Sequence, residues 1–130
     1  MLLSKEGVLI NKIIDIHIKN NEEEFSFKNV DSKYKDNSFI FKVNSDNYII
    51  DLKDNIVFHK KSDESEIDFI FDIEKETKGT YYIKELEFYM DAKVKTIMLI
   101  REDNYIEVEY KLWLQDEEIG NFIFKLKVKE

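Results

Sequence analysis

Histidine is the side chain best suited to acid–base catalysis or metal binding near neutral pH, and the chain contains two, His17 and His59. Neither has a second ligand at the spacing of a known motif, since no H-x-x-x-H or H-x-E sequence occurs. Each histidine lies on the less apolar side of a run that alternates apolar and polar residues. A catalytic or metal-binding role would need partners brought together by the fold, so we predict that both are surface histidines.

Four clusters of acidic residues could supply oxygen ligands or paired carboxylates. They occur at Glu22–Glu24, Asp63–Glu66, Glu74–Glu76 and Asp116–Glu118. Oxygen-rich loops can bind Ca²⁺, but the EF-hand spacing with its central glycine is missing. Two carboxylates could also meet in space for glycoside chemistry, but nothing in the sequence selects a pair. Because all four clusters lie in predicted turns, we predict solvated loops rather than metal sites.

Other common catalytic elements are missing from the sequence. Gly7, Gly79 and Gly120 are isolated, so there is no glycine-rich phosphate loop, and no G-x-S-x-G sequence occurs. The chain has 0 Cys, which excludes a disulfide framework, a thiolate nucleophile and a cysteine metal site. We therefore predict no catalytic residue, no metal and no cofactor. A small enzyme that uses carboxylate, Tyr or His chemistry is the alternative.

Composition argues against two large classes of partner. The formal net charge is −8 and Arg101 is the only arginine, so there is no basic footprint for nucleic acid. The longest wholly apolar run, Ile97–Ile100, is far too short to span a bilayer, and the start MLLSKEGVLINK lacks the apolar core of a signal peptide. A length of 130 residues fits one domain. We predict a soluble, cytoplasmic protein with a single domain over residues 1–130.

The residues near the carboxyl end, IEVEYKLWLQDEEIGNFIFKLKVKE, show the clearest alternation of apolar and polar side chains. Successive side chains of a strand point to opposite faces, so this pattern predicts strands with one buried face. The two strands fold back around QDEEIG, in a register that pairs Leu114 with Phe122. That register places Trp113 opposite Ile123 on the polar face. This small apolar patch is either a cross-strand pair covered by a loop or an interface anchor.

Shorter runs of the same alternation, such as IIDIHIK, SFIFKV and EIDFIFDI, occupy the rest of the chain. Between several of them stands the dipeptide Asp-Asn, and these two residues tolerate left-handed backbone well enough to turn a hairpin where glycine is scarce. Turn signals at this spacing predict consecutive antiparallel strands. The dipeptide occurs at Asp36–Asn37, Asp46–Asn47, Asp54–Asn55 and Asp103–Asn104.

Residues 80–101 leave two interpretations open. In YYIKELEFYMDAKVKTIMLI, Ile83, Leu86 and Met90 would also line one face of a helix. The strand interpretation places Leu86 and Met90 on one face but leaves Ile83 in the opposite phase. It therefore requires a β-bulge near Lys84–Glu85.

Three segments resemble successive parts of the YwiB-like family of small bacterial calycin-type β-barrels of unknown function. They are FSFKNVDSKYKDNSFIFKV, NIVFHKKSDESEIDFIFDIEKETKGTYYI and IEVEYKLWLQDEEIGNFIFKLKV, in the same order and with comparable gaps. The resemblance implies an all-β fold, a single antiparallel up-and-down β-barrel of about eight strands, calycin- or lipocalin-like. It also favours strand over helix for residues 80–101. It implies no catalytic residues.

The interior of such a barrel decides what it can bind. The predicted inward faces consist mainly of the large side chains Phe, Ile, Leu and Tyr. An eight-stranded barrel is just wide enough for such side chains to fill it. We therefore predict a mainly packed barrel with at most a shallow pocket at its mouth. The predicted function is a binding module that recognises a protein partner, including itself as a homodimer, or a small apolar ligand at the mouth. Trp113 and Ile123 are the candidate interface residues.

Overall fold

The computed structural model describes residues 8–129, so Gly7 and most of MLLSKEGVLINK lie outside the described part of the chain. Alternating side chains and left-handed turns divide the chain into ten β-strands. Their bounds are β1 Ile10–Lys19, β2 Glu24–Lys35, β3 Ser38–Val43, β4 Asp46–Leu52, β5 Ile56–Lys61, β6 Ser65–Phe71, β7 Thr77–Ile83, β8 Phe88–Glu102, β9 Tyr105–Leu114 and β10 Glu117–Val128.

Each strand pairs antiparallel with the next one along the chain, and β1 pairs with β10, so the sheet closes into a barrel. The predicted all-β, up-and-down antiparallel barrel is confirmed. It contains ten strands where about eight were predicted, because several strands are only six or seven residues long. Within residues 8–129 no helix is long and apolar enough to cross a membrane.

Residues 80–101 form parts of two strands, β7 and β8, which confirms the strand interpretation. The change of phase near Lys84 has a different cause from the predicted β-bulge. A turn spans residues 84–87, in which Glu87 adopts a left-handed φ of 48° and its N–H donates to the Lys84 carbonyl at 3.2 Å. The bulge in this region lies further on, between Thr96 and Met98 of β8.

Three of the four Asp-Asn dipeptides lie between strands, as predicted. Asp36 and Asn37 show the predicted backbone, with φ values of 50° and 66°. The dipeptide at Asp46–Asn47 instead begins β4, and the turn before it uses Asn44, whose φ is 57°. Left-handed Asp36, Asn37 and Asn44 replace glycine at two of these turns, since Asn is the non-glycine residue that tolerates this conformation best. The dipeptides at Asp54–Asn55 and Asp103–Asn104 do not adopt a left-handed φ.

The hairpin between β9 and β10 turns more tightly than predicted. Gln115–Asp116 is left-handed at both residues, with φ of 52° and 66°, and Leu114 pairs directly with Glu117. A bulge at Ile119 then shifts the register by one residue. The predicted pairing of Leu114 with Phe122 is therefore wrong, because a two-residue hairpin turn replaces the longer loop.

Trp113 consequently has different neighbours from those predicted. It lies on the outer side of β9 opposite Glu118, and Lys93 of β8 holds its ammonium 4.7 Å from the centre of the indole ring. Ile123 pairs with Glu109. The predicted apolar pair of Trp113 and Ile123 is wrong, and the tight turn at the end of β9 is the physical reason.

The core fills the end of the barrel that carries the β2–β3, β4–β5, β6–β7 and β8–β9 turns, here called the closed end. Phe71 of β6 lies at its centre, with its ring centroid 4.7 Å from that of Tyr110 and 6.1 Å from that of Phe58. The side chains packed here come from strands on every side of the barrel, so burial depends on closure. The most deeply buried are Phe71, Ile14, Ile16, Ile50, Ile56, Leu126, Val94 and Val108.

Candidate functional site

The opposite end of the barrel holds a cavity of about 340 Å³, here called the mouth pocket. Side chains from seven strands, β1, β4 to β7, β9 and β10, line it, and seven of the fifteen lining residues are aromatic. The sequence predicts a largely filled lumen with a shallow mouth, and the closed end is filled in this way. The mouth pocket is deeper than predicted because ten strands enclose a wider barrel than eight. Its aromatic lining residues are Tyr48, Phe58, Phe69, Tyr81, Tyr110, Phe122 and Phe124.

Tyr110 is one of two buried tyrosines that line the mouth pocket. It is 8% exposed, and its hydroxyl forms no hydrogen bond with any of residues 8–129. Burial raises the pKa of Tyr110 well above its ordinary value, and the nearby Tyr48 raises it further. The phenol is therefore neutral at physiological pH and retains a proton that it can donate.

Tyr48 supplies a second phenol from the other side of the mouth pocket. It is 3% exposed and likewise forms no hydrogen bond within the described residues. Burial, and then the charge of Asp46, raise the pKa of Tyr48 to about 12. Two neutral hydroxyls, one from β4 and one from β9, thus border the same apolar cavity, and neither has a hydrogen-bond partner among residues 8–129.

Stacked rings fix the orientation of both phenols. Tyr48 stacks on Phe41 at 5.0 Å between ring centroids and meets Phe58 edge-on at 5.8 Å. Tyr110 stacks on Phe122 at 5.4 Å. Such pairs contribute about 0.5–1.5 kcal/mol each beyond the area that they bury. The hydroxyls are therefore held in place before any ligand arrives.

Lys60 is the only charged residue among the described residues that line the mouth pocket. Its Nζ lies 5.7 Å from the centre of the Tyr48 ring and 3.7 Å from Oδ2 of Asp46. The ion pair is partly exposed to solvent, so it adds little to stability. Its position gives the pocket rim an ammonium group that can approach a bound polar group.

Asn21 ties the β1–β2 turn to the wall of the mouth pocket. Its side-chain Nδ2 donates to the Ile119 carbonyl at 3.0 Å, and the Asn121 N–H donates to its Oδ1 at 3.0 Å. The side chain thus satisfies two backbone groups beside the bulge in β10. Gly120 lies between them with a φ of 146°, and a Cβ there would stand 2.2 Å from the Asn21 amide. Glycine is required at this position, because another residue would be strained at this positive φ and its Cβ would collide with the Asn21 side chain.

The two histidines lie on the outer surface of the barrel and outside the mouth pocket. His17 Nε2 is 2.8 Å from Oε2 of Glu24, and its Nδ1 is 2.7 Å from the hydroxyl of Ser26. His59 contacts the carboxylate of Asp68 on the neighbouring strand. Cross-strand pairing with an acidic residue is a frequent surface arrangement. Neither histidine is among the residues that line the mouth pocket.

The acidic clusters occupy turns and the ends of strands. Glu22–Glu24 leads into β2, Asp63–Glu66 leads into β6, Glu74–Glu76 connects β6 to β7, and Asp116–Glu118 forms the turn into β10. Within residues 8–129 no three His, Asp or Glu side chains converge in an arrangement that could hold a metal ion. The structure therefore brings none of these predicted candidates together into a site.

The two candidate interface residues are separated by the structure. Ile123 borders the mouth pocket, while Trp113 lies on the outer surface under Lys93. They share no apolar patch, and a role for either in an interface stays a prediction. Tyr48 and Tyr110 are site residues that the sequence motifs did not predict. The available signal was a tyrosine on the buried side of an alternating strand, because a buried phenol needs a hydrogen-bond partner.

The raised pKa of Tyr48 predicts a loss of stability at high pH. In the unfolded chain its phenol ionises near 10.0, and in the barrel near 12. Below pH 10 both states stay protonated, so this stabilisation is complete. As pH rises towards 12 only the unfolded state ionises, so by about pH 11 the free energy of unfolding falls by about 1.4 kcal/mol through this group. Tyr48→Phe should lack that part of the loss.

Urea unfolding of the wild type and of Tyr48→Phe from about pH 9 to about pH 11 measures this difference. Tyr48 also raises the pKa of Tyr110, but burial is the larger cause of that raised pKa, so Tyr110 stays protonated in the barrel in both proteins. The comparison therefore isolates the Tyr48 phenol. Equal losses of stability in the two proteins over this range would contradict the prediction.

Fold and pocket together define the class of protein: a small up-and-down β-barrel with an aromatic-lined pocket at one mouth. Residues 13–126 match the family described as "Domain of unknown function (DUF1934)", and the chain belongs to that family. Its structure is similar to the crystal structure of the ywiB protein from Bacillus subtilis, with a TM-score of 0.61 and 11% sequence identity over 94% of this chain and 96% of that one. The predicted resemblance to YwiB-like barrels is confirmed. A search of the curated proteins gives no significant match.

Proposed function

We propose that this barrel is a binding module whose mouth pocket takes a small ligand with an aromatic body and one group that accepts hydrogen bonds. The observation that carries the proposal is the pair of phenols, Tyr48 and Tyr110. Each is more than nine-tenths buried, borders the same cavity and has no hydrogen-bond partner among residues 8–129. The phenol oxygens open onto the cavity, because the one fully buried side-chain oxygen without a partner among the described residues is Thr96 Oγ1. A ligand oxygen that reaches either phenol would accept its hydrogen bond, which contributes about 0.5–1.5 kcal/mol net.

Size and lining support a small aromatic ligand in particular. The volume of about 340 Å³ lies at the lower end of the range for small-molecule pockets. Rings that meet face-on and edge-on line the wall, and aromatic ligands bind such surfaces through offset stacking. The ammonium of Lys60 at the rim favours a neutral or anionic polar group over a cationic one.

The mouth pocket gives the enzymatic alternative no support. Among the described residues that line it there is no histidine and no carboxylate, so a general base is missing. The two phenols stay protonated at neutral pH, because their pKa values are raised. The chemistry of the pocket is therefore recognition by stacking and hydrogen bonding.

Calorimetric titration with three ring-matched probes tests the proposal. The probes are 2-naphthamide, 2-naphthoate and the cation of 2-(aminomethyl)naphthalene. We expect saturable binding of the amide and the carboxylate, and binding roughly tenfold weaker for the cation, which cannot accept a hydrogen bond and faces Lys60. Tyr110→Phe keeps the ring and removes the donor, so it should weaken binding of 2-naphthamide roughly fivefold.

Tyr34→Phe is the matched control, because the Tyr34 hydroxyl donates to Asn37 at 3.0 Å away from the mouth pocket. This variant should bind 2-naphthamide as the wild type does. Two results would overturn the proposal: no saturable binding of any of the three probes, or equal affinity of 2-naphthamide for the wild type and Tyr110→Phe.

A further inference from the structure

Strand β2 is paired on only part of its second edge. Along one edge it pairs with β1 from Glu24 to Tyr34, but along the other it pairs with β3 only from Ser32 to Lys35. No strand among residues 8–129 pairs with this second edge between Glu24 and Asp31. An unpaired strand edge presents free backbone N–H and C=O groups and recruits other strands.

The length of β3 explains the free edge. β3 ends at Val43 and turns back at Asn44, so the longer β2 continues past the β3–β4 turn. An open groove of about 610 Å³ lies between residues 26–31 and residues 42–44. At the end of the free edge Phe25 is 43% exposed, whereas Phe27, the next residue on the same face, packs against the core.

The sequence of the free edge is complementary to itself in the antiparallel direction. Residues 24–28 are Glu-Phe-Ser-Phe-Lys. Two copies paired antiparallel about Ser26 would place each Glu24 opposite Lys28 of the other copy and each Phe25 opposite Phe27 of the other copy. Opposite charges and aromatic pairs at such positions each contribute about 0.2–1 kcal/mol.

We propose that the free edge of β2 binds the same edge of a second copy of the chain, in a two-fold antiparallel pair centred on Ser26. Lys28 has no ion-pair partner among the described residues, so it is available for Glu24 of the second copy. Glu24 contacts His17 through Oε2, which leaves its other oxygen unengaged. A symmetric pair of this kind closes on itself and stops at the dimer.

A bulge sets the length of the pairing edge. Lys28 and Asn29 together face the single residue Asp15 of β1, and Asn29 is left-handed with a φ of 56°. The Asn29 N–H donates to Oδ1 of Asp15 at 2.9 Å, which fixes the bulge. The straight stretch of β2 therefore ends at Lys28, and the self-complementary residues 24–28 are the part that can pair.

Sedimentation equilibrium of two charge variants tests this interface. We expect the wild type to form a dimer of twice the 15.7 kDa chain mass. Lys28→Glu places two acidic side chains opposite each other, and Glu24→Lys places two lysines opposite each other, so each variant alone should dimerise at least roughly tenfold more weakly. A mixture of the two variants restores opposite charges at both positions. It should associate about as tightly as the wild type.

Lys33→Glu is the control, since it makes the same change of charge on the part of β2 that β3 already covers. It should dimerise like the wild type. The inference is overturned by a wild type that stays monomeric at about 0.5 mM, by Lys28→Glu dimerising as the wild type does, or by a mixture no tighter than its components. Because the mouth pocket takes no part, this result is independent of the probe titrations.

Discussion

Replacing Phe71 with alanine is expected to lower the free energy of unfolding by about 4 kcal/mol. The Phe71 side chain is 1% exposed and lies between the rings of Tyr110 and Phe58 at the closed end of the barrel. Truncation removes the transfer free energy of the ring and leaves a cavity that the surrounding strands cannot close. Urea unfolding followed by circular dichroism measures the change.

Phe69 is the matched control on the same strand. It is 2% exposed, and so as well buried as Phe71, but it borders the mouth pocket. Its ring already has empty volume on one side, so fewer packing contacts are lost on truncation. We expect Phe69→Ala to cost at least about 1 kcal/mol less than Phe71→Ala. Equal costs would show that the mouth pocket is as closely packed as the core.

Replacing Gly79 with alanine is expected to cost about 3 kcal/mol. A Cβ at this position would lie 2.4 Å from the backbone carbonyl oxygen of Asp68 and 3.0 Å from Cδ1 of Phe69. A backbone oxygen within a strand cannot move aside without disturbing the pairing of β6. The same methyl group would push Phe69 towards the mouth pocket.

Lys78→Ala is the control for Gly79→Ala, because the Lys78 side chain is exposed on the neighbouring position of β7. Its effect on the free energy of unfolding should stay within about 0.5 kcal/mol. Thermal and urea unfolding of both variants give the comparison. A loss below about 1 kcal/mol in Gly79→Ala would show that β6 and β7 separate easily, contrary to the prediction.

Tyrosine on the buried side of a strand links stability to recognition in this barrel. The stacking that stabilises Tyr110 against Phe71 and Phe122 also aims its hydroxyl into the mouth pocket. Phenylalanine at this position would pack equally well but would lack the donor. The Tyr110 hydroxyl is not among the fully buried atoms without a partner, so it is a donor that opens onto the cavity and can bind a ligand with an acceptor oxygen.

The alternating pattern of the sequence correctly predicts strands, their inward faces and the antiparallel order. These properties depend on consecutive residues, since side chains of a strand alternate whatever its partner is. Ile106, Val108 and Tyr110 were assigned to the buried face in this way, and all three are buried. The Asp-Asn dipeptides located three of the nine connections between the described strands. Asp36–Asn37 adopts the left-handed backbone that these residues tolerate.

Register was less predictable than strand position. The alternation around QDEEIG allows both a two-residue turn and a longer loop, and each keeps apolar residues on one face. The structure resolves this with left-handed Gln115–Asp116 and a bulge at Ile119, which Gly120 and Asn21 stabilise from outside the hairpin. A contact between residues so far apart in the chain leaves no local signal except a glycine inside a strand.

The sequence by itself determined that this chain forms strands with one buried face and one polar face, and that aromatic residues fill the interior. It also determined that the chain carries no recognisable catalytic motif. Only the tertiary structure decided that a pocket exists and that Tyr48 and Tyr110 share it. The physical reason is closure. The volume left inside a barrel depends on the number of strands and on every register around the ring, and these are set by pairings between distant segments. Alternation within a strand fixes which side chains face inward, and it cannot fix how far apart the inward faces stand.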